Sequence, residues 1–139
     1  MKRSILLLSI SIWFLTNSLY AQSIIQQAEK LSPTSLGLVI YSDDIETVWN
    51  ALRLANFSKK QGDTVNIFLL GKGVELENLI KESKEIDEEL ELFLKDGSSI
   101  MGCGTCLKSR NNNEPQTCKL SSLKDLYELI RENDIVLTF

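Results

Sequence analysis

The sequence contains no histidine, only two prolines and only three cysteines among 139 residues. The absence of histidine excludes hydrolase mechanisms in which a Ser-His or Cys-His pair activates the nucleophile. No internal repeat and no long, highly charged segment of low hydrophobicity is present. With 43% hydrophobic and 24% charged residues, the composition is typical of one globular domain with a packed core.

The chain also lacks an apolar run long enough to span a bilayer, although it begins with a shorter one. The basic pair Lys2-Arg3 is followed by an apolar run over Ile5–Leu15 and then by polar residues, which is the layout of a secretory signal peptide. A spanning helix needs ~20 apolar residues, more than this run supplies. We therefore predict a signal peptide over residues 1–21 and a periplasmic or secreted product with no membrane attachment after cleavage.

A basic patch is absent as well. The chain has 15 basic and 19 acidic residues, and removal of Lys2 and Arg3 leaves 13 basic residues and changes the formal charge from −4 to −6. Lys and Arg dominate binding to phosphates, so an acidic protein of this kind is a poor ligand for nucleic acid. We expect no nucleic-acid partner.

Hydrophobic patterning predicts alternating strands and helices after a polar lead-in over residues 22–35. Continuous apolar runs predict buried strands, and apolar residues at intervals of three and four predict helices. The order indicates an α/β domain over residues 36–139 with a doubly wound, mostly parallel sheet. The predicted strands are Leu36–Tyr41, Thr64–Leu70, Ser98–Gly102 and Ile135–Phe139; the predicted helices are Ile45–Gln61, Val74–Leu94 with a break near Ser83 or Lys84, a turn over Thr105–Arg110, and a helix capped by Ser121 or Ser122 that carries Leu123, Leu126, Tyr127 and Ile130.

The motif with the clearest chemical content is Cys103-Gly-Thr-Cys106. Two cysteines separated by two residues form a disulfide, hold a metal, or present an activated thiol beside a resolving one. The pair lies where a predicted strand passes into a helical turn, and the N–H groups and dipole of a helix start stabilise a thiolate. We predict that Cys103 is the more acidic and reactive thiol, with Lys108 and Arg110 adding positive charge nearby.

The third cysteine leaves the redox state of this cluster open. In an oxidising compartment three thiols allow one disulfide, for example a structural staple between Cys103 and Cys106 or between Cys106 and Cys118, and one thiol remains. A zinc site would need a further ligand such as Glu114, because structural zinc takes four ligands and histidine is absent. We expect no metal and no cofactor.

Two further patterns have simpler explanations. The segment Gly71-Lys-Gly73 follows a strand and precedes a helix, as phosphate-binding loops do, but it lacks the spacing of a P-loop, so a plain turn is favoured. The spacing of the cysteine pair also occurs in thioredoxin-like proteins. Neither Pro33 nor Pro115 is placed to begin a later strand facing the pair, and a thioredoxin fold is not predicted.

The order of these segments resembles the DsrE/DsrF-like family, which includes sulfur-relay proteins of the DsrE and TusD type. The resemblance covers residues 36–139 and depends on four segments taken together. These are Leu38–Ser42 before an amphipathic helix, Val65–Val74, Ile100–Arg110 and the tail Asp125–Phe139.

This resemblance implies a three-layer fold, in which a mostly parallel five-stranded sheet has helices on both faces, and assembly into homo-oligomers or hetero-oligomers with related subunits. It also implies that Cys103 accepts sulfur as a persulfide, with sulfur donor and acceptor proteins as partners, whereas Cys106 and Cys118 are not required for the carrier role. The predicted export departs from cytoplasmic sulfur relay to tRNA, so that role is not carried over.

Two hypotheses follow. The first is an exported sulfur carrier or thiol exchanger in which Cys103 forms a persulfide or mixed disulfide and Cys106 resolves it. The alternative is a non-catalytic oligomeric module in which the cysteines form a structural disulfide.

Overall fold

The computed structural model describes residues 32–139, so the predicted signal peptide and most of the lead-in over residues 22–35 lie outside the described part. A five-stranded sheet forms the centre of this part, and none of its helices is long and apolar enough to cross a bilayer. The strands are β1 (Ser35–Ile40), β2 (Thr64–Leu69), β3 (Ile100–Cys103), β4 (Lys119–Ser121) and β5 (Ile135–Thr138); the helices are α1 (Ile45–Gln61), α2 (Leu76–Glu82), α3 (Lys84–Leu94), α4 (Gly104–Lys108) and α5 (Leu123–Glu132), with a 3-10 turn over Gly71–Glu75 before α2.

The sheet is parallel throughout, with the strand order β4-β3-β2-β1-β5. The chain moves from β1 to β4 in one direction and then returns to the far edge through α5. Right-handed crossovers place helices on opposite faces for opposite directions of travel. The predicted α/β class and the five-stranded sheet with helices on both faces are therefore confirmed.

The two faces of the sheet differ in how much core they bury. Side chains alternate between faces along a strand, so Leu38 and Ile40 point into the large core under α1 and α3, while Val39 points to the other face. The fully buried part of that second core is small, consisting of Val39, Phe68 and Leu129 of α5. One helix thus covers the second face, and much of its apolar surface stays partly exposed.

The helix ends follow the local signals in the sequence. Asp44 accepts the N–H of Thr47 at 2.8 Å and begins α1, and Gly62 ends it with a φ of 102° that favours glycine. Ser83 separates α2 from α3 and caps α3, which confirms the predicted break. Ser122 begins α5 through a capping box.

One strand differs from the sequence prediction. β4 covers only Lys119–Ser121, which extends the sheet beyond β3 through the pairing of Gly102 with Leu120 and of Cys103 with Ser121. Three residues at the end of a polar loop are too few to produce a hydrophobic period, and hydrophobic patterning alone therefore gave no strand there.

The Gly71-Lys-Gly73 segment forms the 3-10 turn, packed directly on the end of β1. A Cβ atom added at Gly73 would meet the carbonyl oxygen of Ile40. The segment therefore acts as a close-packed turn, as predicted, in which glycine is needed because no side chain fits between the turn and the strand.

Gly102 has the same role in β3, immediately before Cys103. A Cβ atom at this position would lie 2.5 Å from Cys118 Sγ and 3.1 Å from Leu107 Cδ1. The absence of a side chain lets Cys118 and the start of α4 pack against the strand, and this packing sets the position of the cysteine motif.

We predict that Gly102→Ala lowers the free energy of unfolding by about 1–3 kcal/mol, because overpacking forces the Cys118 thiol and Leu107 to move. In a Cys118→Ala background the same substitution costs less, since its closest contact is gone. Urea unfolding in reductant measures all four members of this cycle. Additive effects would contradict the proposed contact.

Candidate functional site

The cysteine pair lies at the carboxyl edge of the sheet, between the ends of β2 and β4. Cys103 is the last residue of β3 and also the N-cap residue of α4, so the chain changes from strand to helix at the thiol itself. Gly104 begins the helix close to β4, and a Cβ atom added there would lie only 3.1 Å from the carbonyl oxygen of Ser121, a tight contact. The predicted strand-to-helix junction at Cys103 is confirmed, with β3 ending one residue later and α4 beginning one residue earlier than predicted.

The thiols of Cys103 and Cys106 are brought together by the first turn of α4. The backbone N–H of Cys106 donates a hydrogen bond to Cys103 Sγ at 3.3 Å. Both thiols are partly accessible to solvent, and the three cysteines, all within the described residues, are free thiols. This arrangement allows either exchange with an incoming sulfur atom or closure of a disulfide.

The acidity of Cys103 differs from our prediction. Burial raises the pKa of its thiol above the ordinary value, and the hydrogen bond with the Cys106 side chain acts in the same direction. The backbone N–H groups of Cys106 and Thr105 lower the pKa, but these effects are smaller. The prediction of an acidic Cys103 was wrong for the dithiol state, because burial and the neighbouring thiol outweigh the helix start.

The two cations predicted near the pair differ in their surroundings. Arg110 forms an ion pair with Glu75, with 2.6 Å between Nε and Oε1, and also donates to the carbonyl oxygen of Cys106 at 3.1 Å. Its charge is therefore balanced by a carboxylate. Lys108 is exposed and has no ion pair among the described residues. Their role as thiolate-stabilising residues stays a prediction.

Cys118 precedes β4 and packs, as Cys103 and Cys106 do, against the large core. Its sulfur lies against Gly102, next to Leu107, and contacts the large core. Burial, followed by the negative charge of Glu77, raises the pKa of Cys118 to about 11. It is therefore a neutral thiol at neutral pH, and the alternative pairing with Cys106 is not formed.

Sequence reasoning missed two acidic residues that organise this region. Glu75 balances Arg110, while Glu77 accepts hydrogen bonds from the backbone N–H groups of Gln116 and Thr117 and from Asn112. Glu77 thus fixes the polar loop that leads to Cys118. These contacts join residues 35 to 40 positions apart, and nothing in the local pattern indicates them.

The zinc alternative receives no support from the geometry. Over residues 32–139, no three His, Cys, Asp or Glu side chains converge in a way that could hold a metal ion. Glu114, the further ligand that such a site would need, is exposed. The chemistry available at the site is consequently that of two neighbouring thiols.

Comparison with known proteins finds relatives of similar length. The chain is 34% identical over 100 residues to the uncharacterized protein MJ0989 of Methanocaldococcus jannaschii, covering 68% of this chain and 88% of that protein. It is 31% identical over 100 residues to the uncharacterized protein MK0008 of Methanopyrus kandleri, covering 68% of this chain and 83% of that protein.

A solved structure shares the fold. The conserved protein of unknown function BT1422 from Bacteroides thetaiotaomicron superimposes with a TM-score of 0.61 at 21% identity, covering 76% of this chain and 95% of that chain. The profile of the DsrE/DsrF-like family matches residues 36–139, the whole of the sheet and its helices apart from the first residue of β1. The chain therefore belongs to the DsrE/DsrF-like family.

Proposed function

We propose that this protein carries sulfur or exchanges thiols at Cys103, with Cys106 as the resolving thiol. The observation that supports the proposal most directly is the pairing of the two thiols at the start of α4, where Cys103 Sγ accepts the Cys106 N–H at 3.3 Å. Family membership supports a sulfur-relay type of fold. Both thiols are partly accessible, as exchange with a partner requires.

The first step is attack by the Cys103 thiolate on the outer sulfur of a persulfide donor. The new S–S bond forms on Cys103 as the donor S–S bond breaks, and the donor leaves as a thiolate. The sulfur then passes to an acceptor thiol by the same exchange. With a disulfide donor, the first step instead gives a mixed disulfide on Cys103.

Cys106 provides a second exit for the bound sulfur. Its thiolate attacks Cys103 Sγ, an intramolecular Cys103–Cys106 disulfide forms, and hydrogen sulfide or the partner thiol leaves. The disulfide is then reset by a dithiol reductant, which supplies two electrons. This use of Cys106 requires only the short separation that the first turn of α4 provides.

We further propose that this chemistry takes place outside the cytoplasm, in the periplasm or after secretion. The support for this location is the signal-peptide layout of residues 1–21. Free thiols in an oxidising compartment need a reductant or a dedicated partner to stay reduced. The proposed partners are therefore a sulfur donor, a sulfur acceptor and a dithiol protein that resets the pair.

The proposal predicts that Cys103→Ser strongly slows sulfur acceptance while Cys118→Ser retains it. The reduced protein is treated with glutathione persulfide, and peptide mass spectrometry measures the added sulfur atom. We expect the rate to fall by at least about tenfold, roughly 1.4 kcal/mol in activation free energy, only when Cys103 is replaced. Unchanged circular dichroism shows that the variant is folded, and sulfur acceptance at the wild-type rate in Cys103→Ser would overturn the proposal.

The reduced pair also predicts a pH profile. Because the pKa of Cys103 is raised, its alkylation by iodoacetamide should continue to accelerate above about pH 9. Cys106→Ala removes a side chain that raises the pKa of the Cys103 thiol, so the midpoint of the Cys103 profile moves to lower pH. Cys118→Ala is the matched control and leaves the midpoint unchanged. A midpoint that is unmoved in Cys106→Ala would show that the two thiols are not coupled.

A further inference from the structure

The third thiol, Cys118, lies near the reactive pair, although the exchange proposed above does not use it. Its Sγ lies 2.5 Å from the position that a Cβ atom at Gly102 would occupy, and Leu107 Cδ1 lies 3.1 Å from the same position. Gly102 is the neighbour of Cys103 in β3, and Leu107 is the neighbour of Cys106 in α4. A carrier that loads only the pair must therefore keep a nearby thiol from competing for the same donor.

Both carboxylate oxygens of Glu77, on α2, hold the loop that leads to this thiol. Oε1 accepts the backbone N–H groups of Gln116 and Thr117, and Oε2 accepts a side-chain N–H of Asn112 at 3.2 Å. Hydrogen bonds to an ionised acceptor are roughly twice as strong as those between neutral groups. Because Thr117 immediately precedes Cys118, these bonds fix the backbone from which the thiol projects.

Close packing does not replace these hydrogen bonds. No residue of the loop over positions 111–117 is buried. A cavity of about 160 Å³, lined in part by Glu77 and Asn112, lies between α2 and the start of the loop. The other charged residues of its lining, Glu75 and Arg110, pair with each other at 2.6 Å. The contact between this loop and α2 consequently depends on the carboxylate of Glu77.

The charge of Glu77 also acts on the thiol itself. Burial, and after it this charge, raise the pKa of Cys118 to about 11, against an opposing hydrogen bond with the Thr117 side chain. The residues of β3 and α4 that pack near the sulfur, Gly102 and Leu107, carry no charge. Since the thiolate is the nucleophile in thiol exchange, Cys118 reacts slowly near neutral pH.

We propose that Glu77 is a positioning residue that confines sulfur exchange to the Cys103–Cys106 pair, because it fixes the loop that carries Cys118 and keeps that thiol half-buried. This inference rests on the exchange proposed for Cys103. Without Glu77, the Cys118 thiolate attacks the outer sulfur of the same persulfide donor. The new S–S bond forms on Cys118 as the donor S–S bond breaks, and the donor leaves as a thiolate.

Two substitutions separate the charge of Glu77 from its hydrogen bonds. Glu77→Gln removes the charge but keeps a carbonyl oxygen as an acceptor for the loop, whereas Glu77→Ala removes both. Glu82→Gln is the matched control, since it removes the same charge from an exposed position on the same helix. Thermal melts followed by circular dichroism establish that each variant is folded.

The first measurement is the rate at which iodoacetamide alkylates Cys118 in the reduced protein, followed by peptide mass spectrometry. At about pH 8.5 we expect this rate to rise about threefold in Glu77→Gln and about tenfold in Glu77→Ala, where the loop is also released. The midpoint of the Cys118 pH profile moves to lower pH in Glu77→Gln, with no loss of thermal stability. Glu82→Gln leaves both the rate and the midpoint unchanged.

The second measurement is the distribution of sulfur after treatment with glutathione persulfide. We expect the added sulfur on Cys103 and none on Cys118 in the wild-type protein, and sulfur on both in the Glu77 variants. A Cys118 alkylation rate that stays at the wild-type value in folded Glu77→Gln would overturn the role of Glu77. Wild-type protein that takes no sulfur on Cys103 would instead overturn the proposed function, so the two failures are distinguishable.

Discussion

The position of Cys103 depends on the two glycines that flank it. Gly102 leaves room for Cys118 and Leu107 against β3, and Gly104 lets α4 begin beside the backbone of Ser121. A side chain at position 102 would displace the Cys118 and Leu107 side chains, and one at position 104 would press the start of α4 against the backbone of β4. The chemistry proposed for the pair thus rests on close packing at the end of one strand.

Opposing effects act on the pKa of the Cys103 thiol. The start of α4 directs backbone N–H groups at Cys103, but burial and the Cys106 thiol prevail and raise the pKa of the Cys103 thiol. The ion pair with Glu75 balances the charge of Arg110. The Cys103 thiol is therefore largely protonated at neutral pH, and its reaction is governed by the small thiolate fraction and by contact with the partner.

The sequence was sufficient where a local signal determines structure. Apolar runs marked the longer strands, apolar residues at intervals of three and four marked α1, and the class of fold followed from the order of the elements. Features that depend on contacts between residues far apart in the sequence could not be predicted from it. Strand β4 is too short to show a hydrophobic period, and Glu77 contacts residues up to 40 positions away. The burial that raises the pKa of Cys103 arises only when α4 packs on the sheet.

The account makes Cys103 and Cys106 an exchanging pair and Cys118 a half-buried thiol outside it. The most direct measurement is peptide mass spectrometry of the protein isolated from its own compartment, alkylated before and after mild reduction. The account predicts a persulfide or free thiol on Cys103, or a Cys103–Cys106 bridge that mild reductant opens, with Cys118 a thiol throughout. A Cys103–Cys106 bridge that withstands the reductant, with no persulfide on Cys103, would contradict it and identify the pair as a structural staple.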